Sequence, residues 1–442
     1  MKFYIHKLGC PKNDVDADYI SARLMADGHQ PVFDPEQAES IIVNTCGFIL
    51  PAKEESIFEL LRLGQLKKSA GVKTLFATGC LSQRNGEELL QGMPELDGAF
   101  GLGQLDAIAD AVKKGTVSSK PVVVDSRRLA YLDFGERFID ADSPYAYLKI
   151  SDGCDNLCAY CAIPRIRGQY RSRPMESILA EARYLAEHGK RELILVSQDS
   201  TLYGHDYPAS AKVDIVSLLK ELESIEGVKW IRLMYLHPAH VADGLVEYLV
   251  SGSKTLPYFD LPLQHINSEI LKSMNRKIDR DGIIGLLDKI RRASSEATIR
   301  TTFIVGYPGE TIEQFGELQS FVSDFEFDRL GVFGYSPEDD TPAADLPGQI
   351  SEEEKFRRLD ELMMLQQEIA FAKNNSLIGS QRDVIIDAIC DDGGAIGRTC
   401  ADCPEIDQEV YVTGGNPGIG DICRVTITAS QGYDLEGHFS RE

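Results

Sequence analysis

The chain has 442 residues, of which 43% are hydrophobic and 26% are charged, and this length indicates two or three domains rather than one core. No segment reaches the roughly 18 apolar residues of a membrane helix, and Met1–Lys7 is too polar for a signal peptide, so we expect a cytoplasmic protein whose cysteines bind metals or react. The formal net charge of −23 disfavours nucleic acid as a partner and favours a basic one.

Residues 1–115 alternate short apolar runs with amphipathic helical patterns. Such alternation predicts an N-terminal open parallel α/β domain, with helices packed on the sheet. The predicted strands are Lys2–Lys7, Ile41–Thr45 and Thr74–Thr78. The predicted helices are Asp14–Ala26, Pro51–Lys68, Ser82–Leu90 and Gln104–Lys114. Residues 116–143 are interpreted as a connector.

Strands and helices alternate again within residues 144–375. The predicted strands are Tyr145–Ile150, Glu192–Val196, Val228–Tyr235, Tyr258–Leu263, Ile299–Val305 and Arg329–Phe333. Six βα units in a row predict a central partial (β/α)6 barrel. A final helix near Glu352–Lys373 is expected to bury an apolar stripe formed by Phe356, Leu359, Met363 and Ile369.

Residues 376–442 contain short apolar runs separated by glycine, asparagine and proline turns, which predicts a small antiparallel β-barrel. Four cysteines lie in this part: Cys390, Cys400, Cys403 and Cys423. Two interpretations stay open for them. They form a structural zinc site, or they are packed side chains and surface thiols.

Cys154, Cys158 and Cys161 follow the first predicted barrel strand in the segment SDGCDNLCAYCAIP. Gly153 and Pro164 interrupt a helix on both sides, which argues against three cysteines buried on one helical face. A zinc site would need a fourth ligand nearby, and none follows. The segment therefore indicates a site of three thiolates whose fourth position is not filled by a neighbouring residue.

Cys10, Cys46 and Cys80 are distant in sequence, but each lies at or just past the end of a predicted strand. Because ligands bind outside the carboxyl ends of the strands in an open α/β sheet, we expect the three thiols to converge at one edge. This would be a second three-thiolate site; the alternative is three buried structural cysteines. Glycines before Cys10 and Cys80 favour the ligand interpretation, because they let the backbone pack close to a cluster.

The ends of the predicted barrel strands switch abruptly to polar residues, glycine or proline, and barrel enzymes keep their chemistry at this end. We expect a polar mouth for a small ligand with amine, carboxylate and sugar groups. Its candidate residues, by position alone, are Gln198, Asp199, His237, His265 and Tyr307. The arginines after the cysteine segment are interpreted as facing an anionic group, or else as a solvated strip: Arg165, Arg167, Arg171 and Arg173.

The spacing C-x-x-x-C-x-x-C, with Tyr160 before the last cysteine, resembles the signature of the radical S-adenosylmethionine superfamily. The resemblance implies that Cys154, Cys158 and Cys161 hold a [4Fe–4S] cluster. Its open iron would bind the amine and carboxylate of S-adenosylmethionine, and Tyr160 is added to the cofactor-binding candidates. One electron would then cleave the cofactor to a 5′-deoxyadenosyl radical.

The segments LGCPKNDVD, NTCGFI, ATGCLSQR, RGQYRSRP and IVGYPGET, followed by a TRAM-like barrel, resemble the methylthiotransferases of that superfamily. The resemblance implies a second [4Fe–4S] cluster on Cys10, Cys46 and Cys80, with an open iron for a sulfur atom. A reducing electron donor such as flavodoxin or ferredoxin is expected as a partner.

The segments PLQHIN, QDSTLYG and CPEIDQEVY resemble the branch that methylthiolates the β-carbon of an aspartate in protein twelve of the small ribosomal subunit. Residues 381–442 contain four Arg, no Lys and twelve Asp plus Glu, whereas an RNA-binding barrel should present a basic face. A basic ribosomal protein is therefore the expected substrate. Two alternatives stay open: the same chemistry on adenosine in tRNA, and an iron–sulfur carrier or redox protein without radical chemistry.

Overall fold

A computed structural model describes residues 1–115, 120–124 and 136–440, so that residues 116–119 and 125–135 of the expected connector lie outside the described residues. The chain divides into two compact units. The first unit consists of Met1–Ile139, Lys149–Glu181 and Ser336–Ala344, and the second of Asp140–Leu148, Ala182–Tyr335 and Asp345–Glu442. Within the described ranges, every helix is too short or too polar to cross a membrane.

A six-stranded sheet of parallel neighbours, in the order β2-β1-β3-β4-β5-β6, forms the core of the first unit. Its strands are β1 (Lys2–Lys7), β2 (Gln30–Pro31), β3 (Ser40–Thr45), β4 (Thr74–Gly79), β5 (Gly98–Phe100) and β6 (Val122–Val123). Its helices are α1 (Pro11–Ala26), α2 (Leu50–Gly64), α3 (Leu66–Ser69), α4 (Cys80–Gly92) and α5 (Leu105–Lys114). The strands β3 and β4 are buried at every position, as expected for the centre of a parallel sheet. The predicted parallel α/β domain is confirmed.

A small antiparallel ladder encloses the second cysteine segment. The chain passes through β7 (Tyr145–Lys149), β8 (Ser151–Asp152), α6 (Ile163–Arg167) and β9 (Arg171–Ser172), and β8 pairs with β9. The backbone of Gly153 has a φ of +78°, and a Cβ at this position would lie 2.0 Å from the carbonyl oxygen of Gln169. The next residue, Cys154, donates its backbone N–H to Gly168 O at 3.1 Å. Glycine therefore allows the two ends of the segment to meet.

Two three-stranded sheets, in the orders β11-β10-β7 and β12-β13-β14, form the partial barrel. The remaining strands are β10 (Glu192–Val196), β11 (Trp230–Leu233), β12 (Tyr258–Gln264), β13 (Thr298–Val305) and β14 (Arg329–Gly334). The helices are α7 (Met175–Glu187), α8 (Ile215–Glu223), α9 (Asp243–Ser251), α10 (Ser268–Ser273), α11 (Arg280–Ala293), α12 (Ile312–Phe325) and α13 (Glu352–Ser376). Leu236 N donates to Asp260 O at 2.9 Å and joins the two sheets between β11 and β12. The predicted barrel strands are confirmed.

The helix α13 does not bury the face predicted from its apolar residues. Of that stripe only Ile369 is buried, whereas Phe356 is 70% exposed and the other two members are half-buried. The buried positions on this helix are Lys355, Arg358, Leu362, Gln366, Ile369, Ala370 and Asn374. Arg358 is buried because its Nη1 pairs with the buried carboxylate of Glu310 at 3.0 Å.

Five strands close the predicted C-terminal barrel in the order β15-β16-β17-β19-β18. They are β15 (Gln381–Ile389), β16 (Ala395–Thr399), β17 (Val410–Thr413), β18 (Ile422–Gln431) and β19 (Asp434–Phe439). All pairs are antiparallel except β17 with β19, which is parallel. The predicted small β-barrel is confirmed, with this one parallel pair as a difference.

The segment between β16 and β17, residues 400–409, lies against the amino ends of the β/α barrel strands, and we call it the docking loop. Arg232 of β11 donates from Nη1 to Cys400 O at 3.0 Å. Tyr258 of β12 donates its hydroxyl to Asp407 at 2.6 Å. Hydrogen bonds from side chains of β11 and β12 therefore fix this loop within the second unit.

Candidate functional site

The three N-terminal cysteines meet at the carboxyl edge of the first unit's sheet. Cys10 precedes α1, Cys46 follows β3, and Cys80 begins α4. The backbone of Gly9 lies so close to Cys46 that a Cβ on Gly9 would be 2.9 Å from the Cβ of Cys46 and 3.2 Å from its Sγ. Cys10 and Cys46 lie near enough to Cys80 that their charges raise the pKa of its thiol. The structure thus brings together three side chains predicted to share one site.

Burial raises the pKa of the Cys46 thiol. Burial also raises the pKa of Cys80 to about 12, against the opposite effect of the Arg167 guanidinium beside it. Thiols of this kind are protonated at neutral pH, and metal binding releases their protons. Three converging thiols fit a [4Fe–4S] cluster that keeps one iron without a protein ligand.

The second cysteine segment lies in the same unit. Cys154 and Cys158 are buried, whereas Cys161 and Tyr160 are half-buried. Cys161 N donates to Cys158 O at 3.0 Å, which forms a tight turn between the last two cysteines. Together with the closed ends at Gly153, this turn gives a compact loop of three thiols, and the donor set again fits an iron–sulfur cluster.

The zinc interpretation of the C-terminal cysteines gains no support. Cys400 is exposed, whereas Cys403 is almost fully buried. In the part of the chain that the structure describes, the His, Cys, Asp and Glu group with ligand atoms within 4.8 Å of one another is Asp199, His237 and His240. Sulfur ligands of tetrahedral zinc would be closer together than this limit.

The four arginines after the cysteine segment do not form one anion-binding cluster. Arg165 is exposed, and Arg167 and Arg173 are buried in ion pairs with carboxylates of the protein. Arg171 differs, because its Nε and Nη2 are buried and have no hydrogen-bond partner among the described residues. Buried donors of this kind need an acceptor, so Arg171 is the member of the group that fits an anionic ligand.

Gln198 and Asp199 follow β10 at its carboxyl end, in the second unit. Both amide atoms of Gln198 are buried without a hydrogen-bond partner among the described residues, as expected of a side chain that binds a polar ligand. Asp199 is fully buried and its Oδ2 lies 2.9 Å from Nδ1 of His240. Asp199 therefore orients the His240 ring.

His237 stacks on His240 with 4.6 Å between the ring centroids. Burial, aided by the charge of Arg276, lowers the pKa of His237 to about 3, so this ring is neutral at physiological pH. His240 and Arg276 were not among the predicted site residues. The spacing of His240, three positions after His237 beyond the same strand, is a signal that could have identified it.

His265 and Tyr307 are fully buried elsewhere in the second unit. His265 accepts from Asn267 N through Nδ1 at 2.9 Å, and its Nε2 lies 3.3 Å from Glu310 Oε1. The Tyr307 hydroxyl donates to Ser273 O at 3.1 Å. These contacts use their polar atoms within the protein, and neither residue joins the group formed by Asp199, His237 and His240.

Three family profiles match successive parts of the chain. They are Uncharacterized protein family UPF0004 over residues 2–101, the Radical SAM superfamily over residues 148–322, and the TRAM domain over residues 378–439. The three matches follow the order of the α/β sheet, the β/α barrel and the C-terminal barrel.

Curated relatives match the whole chain. The ribosomal protein uS12 methylthiotransferase RimO of Geobacter sulfurreducens is 42% identical, over 97% of this chain and 96% of the relative. The protein of the same name from Clostridioides difficile is 42% identical over 99% and 98%. Among solved structures, the radical S-adenosylmethionine methyltransferase TsrM of Kitasatospora setae has a TM-score of 0.54 and 14% identity, covering 78% of this chain and 74% of that one. The last similarity concerns the fold.

Proposed function

We propose that this protein, which belongs to the RimO family of ribosomal protein uS12 methylthiotransferases, replaces one β-hydrogen of an aspartate in uS12 with a methylthio group. Its radical SAM domain implies a [4Fe–4S] cluster and S-adenosylmethionine. The observation that carries the proposal is the presence of two cysteine triads in the first unit, because inserting sulfur requires a second site beside the one that generates the radical.

The cysteines are assigned by triad: Cys154, Cys158 and Cys161 to the radical SAM cluster, and Cys10, Cys46 and Cys80 to the second cluster. When bound, S-adenosylmethionine and the radical SAM cluster would supply the 5′-deoxyadenosyl radical that removes the hydrogen, S-adenosylmethionine would supply the methyl group, and the open iron of the second cluster would hold the incoming sulfur atom. The chain's own residues hold the clusters and orient the cofactor. The partnerless amide of Gln198 supports the predicted role of this residue in binding polar groups of the cofactor, and the partnerless donors of Arg171 separately fit an anionic group.

The remaining predicted cofactor residues are Tyr160, Asp199 and His237. Asp199 and the neutral His237 would line the cofactor site with polar groups, and neither would add a positive charge near the sulfonium of S-adenosylmethionine. His265 and Tyr307 are better explained as supports of the fold, because their polar atoms bind other parts of the chain. Reduced flavodoxin or ferredoxin is the proposed electron source.

The charge of the C-terminal barrel supports a basic protein substrate over tRNA. Each arginine of this barrel within the described residues is already paired with a carboxylate: Arg382 with Glu296, Arg398 with Glu192 and Asp387, and Arg424 with Asp383. Recognition of a nucleic-acid backbone relies on available basic side chains, whereas an acidic surface attracts a basic protein.

The proposal is tested by mass spectrometry of uS12 and of tRNA from cells that lack their own methylthiotransferases and express this chain. We expect one methylthio group on the uS12 aspartate and none on tRNA. Cys10→Ala and Cys154→Ala should each abolish the modification, whereas Cys390→Ala, outside both triads, should retain it. An adduct on adenosine alone would establish the tRNA alternative.

Iron content separates the two-cluster enzyme from a simpler iron–sulfur protein. After anaerobic reconstitution, the unaltered protein should hold about eight irons per chain, and a variant lacking one triad about four. Reduced protein should release 5′-deoxyadenosine from S-adenosylmethionine. Failure to do so with both clusters present would favour the carrier or redox alternative.

A further inference from the structure

Arg167 is the last residue of α6, the short helix after the second cysteine segment, and it is only 2% exposed. Its Nη2 lies 2.7 Å from Asn13 Oδ1 and 3.6 Å from Cys80 Sγ. Its Nη1 lies 3.3 and 3.2 Å from the two carboxylate oxygens of Asp152. One guanidinium therefore contacts a cysteine of the N-terminal triad and the strand that leads into the other triad.

Asn13 fixes the position of this guanidinium from the N-terminal side. Its Nδ2 donates to Leu8 O at 2.9 Å and to Thr45 O at 3.2 Å, close before Cys10 and Cys46 in the chain. Because the side-chain N–H groups of Asn13 donate to these two carbonyls, its side-chain oxygen Oδ1 points toward Arg167 and accepts from Nη2. The arginine is thus tied to the backbone that carries two of the three N-terminal cysteines.

Asp152 fixes the guanidinium from the other side. Its Oδ1 accepts from the backbone N–H of Gly153 at 2.9 Å, directly before Cys154. Its Oδ2 lies 3.3 Å from Nζ of Lys149, which also binds Asp16 at 2.5 Å. The two positive charges of this buried group, on Lys149 and Arg167, equal the two negative charges on Asp16 and Asp152. The charge of Arg167 is therefore compensated within the group, and its Nη2, which also lies 3.5 Å from Asp16 Oδ2, faces Asn13 and the sulfur of Cys80.

We propose that Arg167 is a positioning residue that links the two triads, and that its hydrogen bond to Cys80 raises the reduction potential of the N-terminal cluster. The inference rests on the proposed function, because it requires a cluster on Cys10, Cys46 and Cys80. Hydrogen bonds to the sulfurs and nearby charge set the potentials of iron–sulfur clusters. A donor with positive charge favours the reduced cluster, which is more negative, and burial keeps solvent from screening the interaction.

The test compares Arg167→Gln and Arg167→Lys in the full-length, reconstituted protein, with Arg165→Gln as the matched control. Arg165 lies in the same helix, but it is exposed and pairs with Asp340. Iron per chain is measured first, followed by reductive titration monitored by electron paramagnetic resonance. Added S-adenosylmethionine shifts the signal of the cluster that binds it and so identifies the other signal as the N-terminal cluster.

We expect Arg167→Gln to raise the ratio of oxidised to reduced N-terminal cluster, at a given solution potential, at least tenfold. This corresponds to a reduction potential lower by about 59 mV for one electron. Arg167→Lys should shift it less, because a single ammonium keeps the charge but cannot reach Cys80 and Asp152 together. Arg165→Gln should behave like the unaltered protein.

An unchanged potential in Arg167→Gln, with both clusters loaded, would overturn the proposal. If Arg167→Gln fails to hold the N-terminal cluster, Arg167→Lys decides: a lowered potential supports the proposal, and an unaltered one overturns it. Only about four irons in the unaltered protein would instead refute the two-cluster function, so the two failures are distinguishable.

Discussion

Gly9 determines how closely the first two cysteine-bearing junctions approach each other. Its φ is +96°, and a Cβ there would lie 2.9 Å from the Cβ of Cys46 and 3.0 Å from Nδ2 of Asn13. A side chain would be strained by the backbone conformation and would displace both neighbours. Glycine is therefore required by space as well as by conformation.

We predict that Gly9→Ala lowers stability by about 1–3 kcal/mol through backbone strain, and that it also disturbs the N-terminal thiols. Reconstituted iron should fall from about eight per chain toward about four. The control is Gly28→Ala, whose φ is +82° but which has no atom within 4 Å of the added Cβ. It should lower the melting temperature without loss of iron; equal iron contents in the two variants would contradict the prediction.

Single residues also show what could be predicted at the site. The grouping of the cysteines into two triads could be predicted, because each triad has a sequence signal, either close spacing or a position at a strand end. Gln198, Asp199 and His237 could be placed at the barrel rim for the same reason. The pairing of Asp199 with His240 could not, because it depends on the turn taken after β11. Likewise, the sequence does not reveal that three of the four neighbouring arginines have carboxylate partners.

Among the elements, strand prediction succeeded where an apolar run had clear ends. The bounds of β1 and β10 agree with the sequence-based ranges. The short strands β2 and β5 were missed, because they contain two and three residues and have no measurable periodicity. In α13 the predicted buried face was wrong for another reason. A prediction from apolar residues places arginine at the surface, whereas Arg358 is buried because it pairs with Glu310.

A buried carboxylate at the start of β10 forms ion pairs with β11 and with the C-terminal barrel. Glu192 is fully buried; its Oε1 accepts a hydrogen bond from Arg232 Nε at 2.8 Å, and its Oε2 forms an ion pair with Arg398 Nη1 at 2.9 Å. Burial opposes its ionisation, but the two guanidinium groups hold the pKa of Glu192 below its usual value. This carboxylate joins neighbouring β11 to β16 of the C-terminal barrel.

We predict that Glu192→Gln destabilises the protein by about 3–5 kcal/mol, because it leaves buried cations without their counter-charge. Urea unfolding followed by circular dichroism measures the effect. Glu405→Gln in the docking loop is the control. Glu405 is exposed and binds the hydroxyls of Tyr145 and Tyr147, so its loss should cost about 1 kcal/mol or less. Equal effects of the two substitutions would show that the Glu192 network is not important for stability.

At the scale of the whole molecule, the net charge of −23 determines how a basic substrate approaches. Under the proposed function, affinity for isolated uS12 should fall by on the order of tenfold between low and moderately high salt, because ions screen the attraction. Fluorescence anisotropy with labelled uS12 measures this. Lysine-acetylated uS12, which has lost positive charge, is the control and should bind weakly at every salt concentration. An affinity independent of salt would contradict the prediction.

The two sets of thiols differ in how they come into being along the chain. One set lies within a single short segment, so its sulfurs stay near one another even in a nascent, unstructured polypeptide. The other set comes from three junctions far apart in sequence and exists only after β1, β3 and β4 have paired. Under the proposed function, cluster assembly therefore has a direction: the short segment can bind iron early, whereas the sheet must be complete before the second cluster can be inserted.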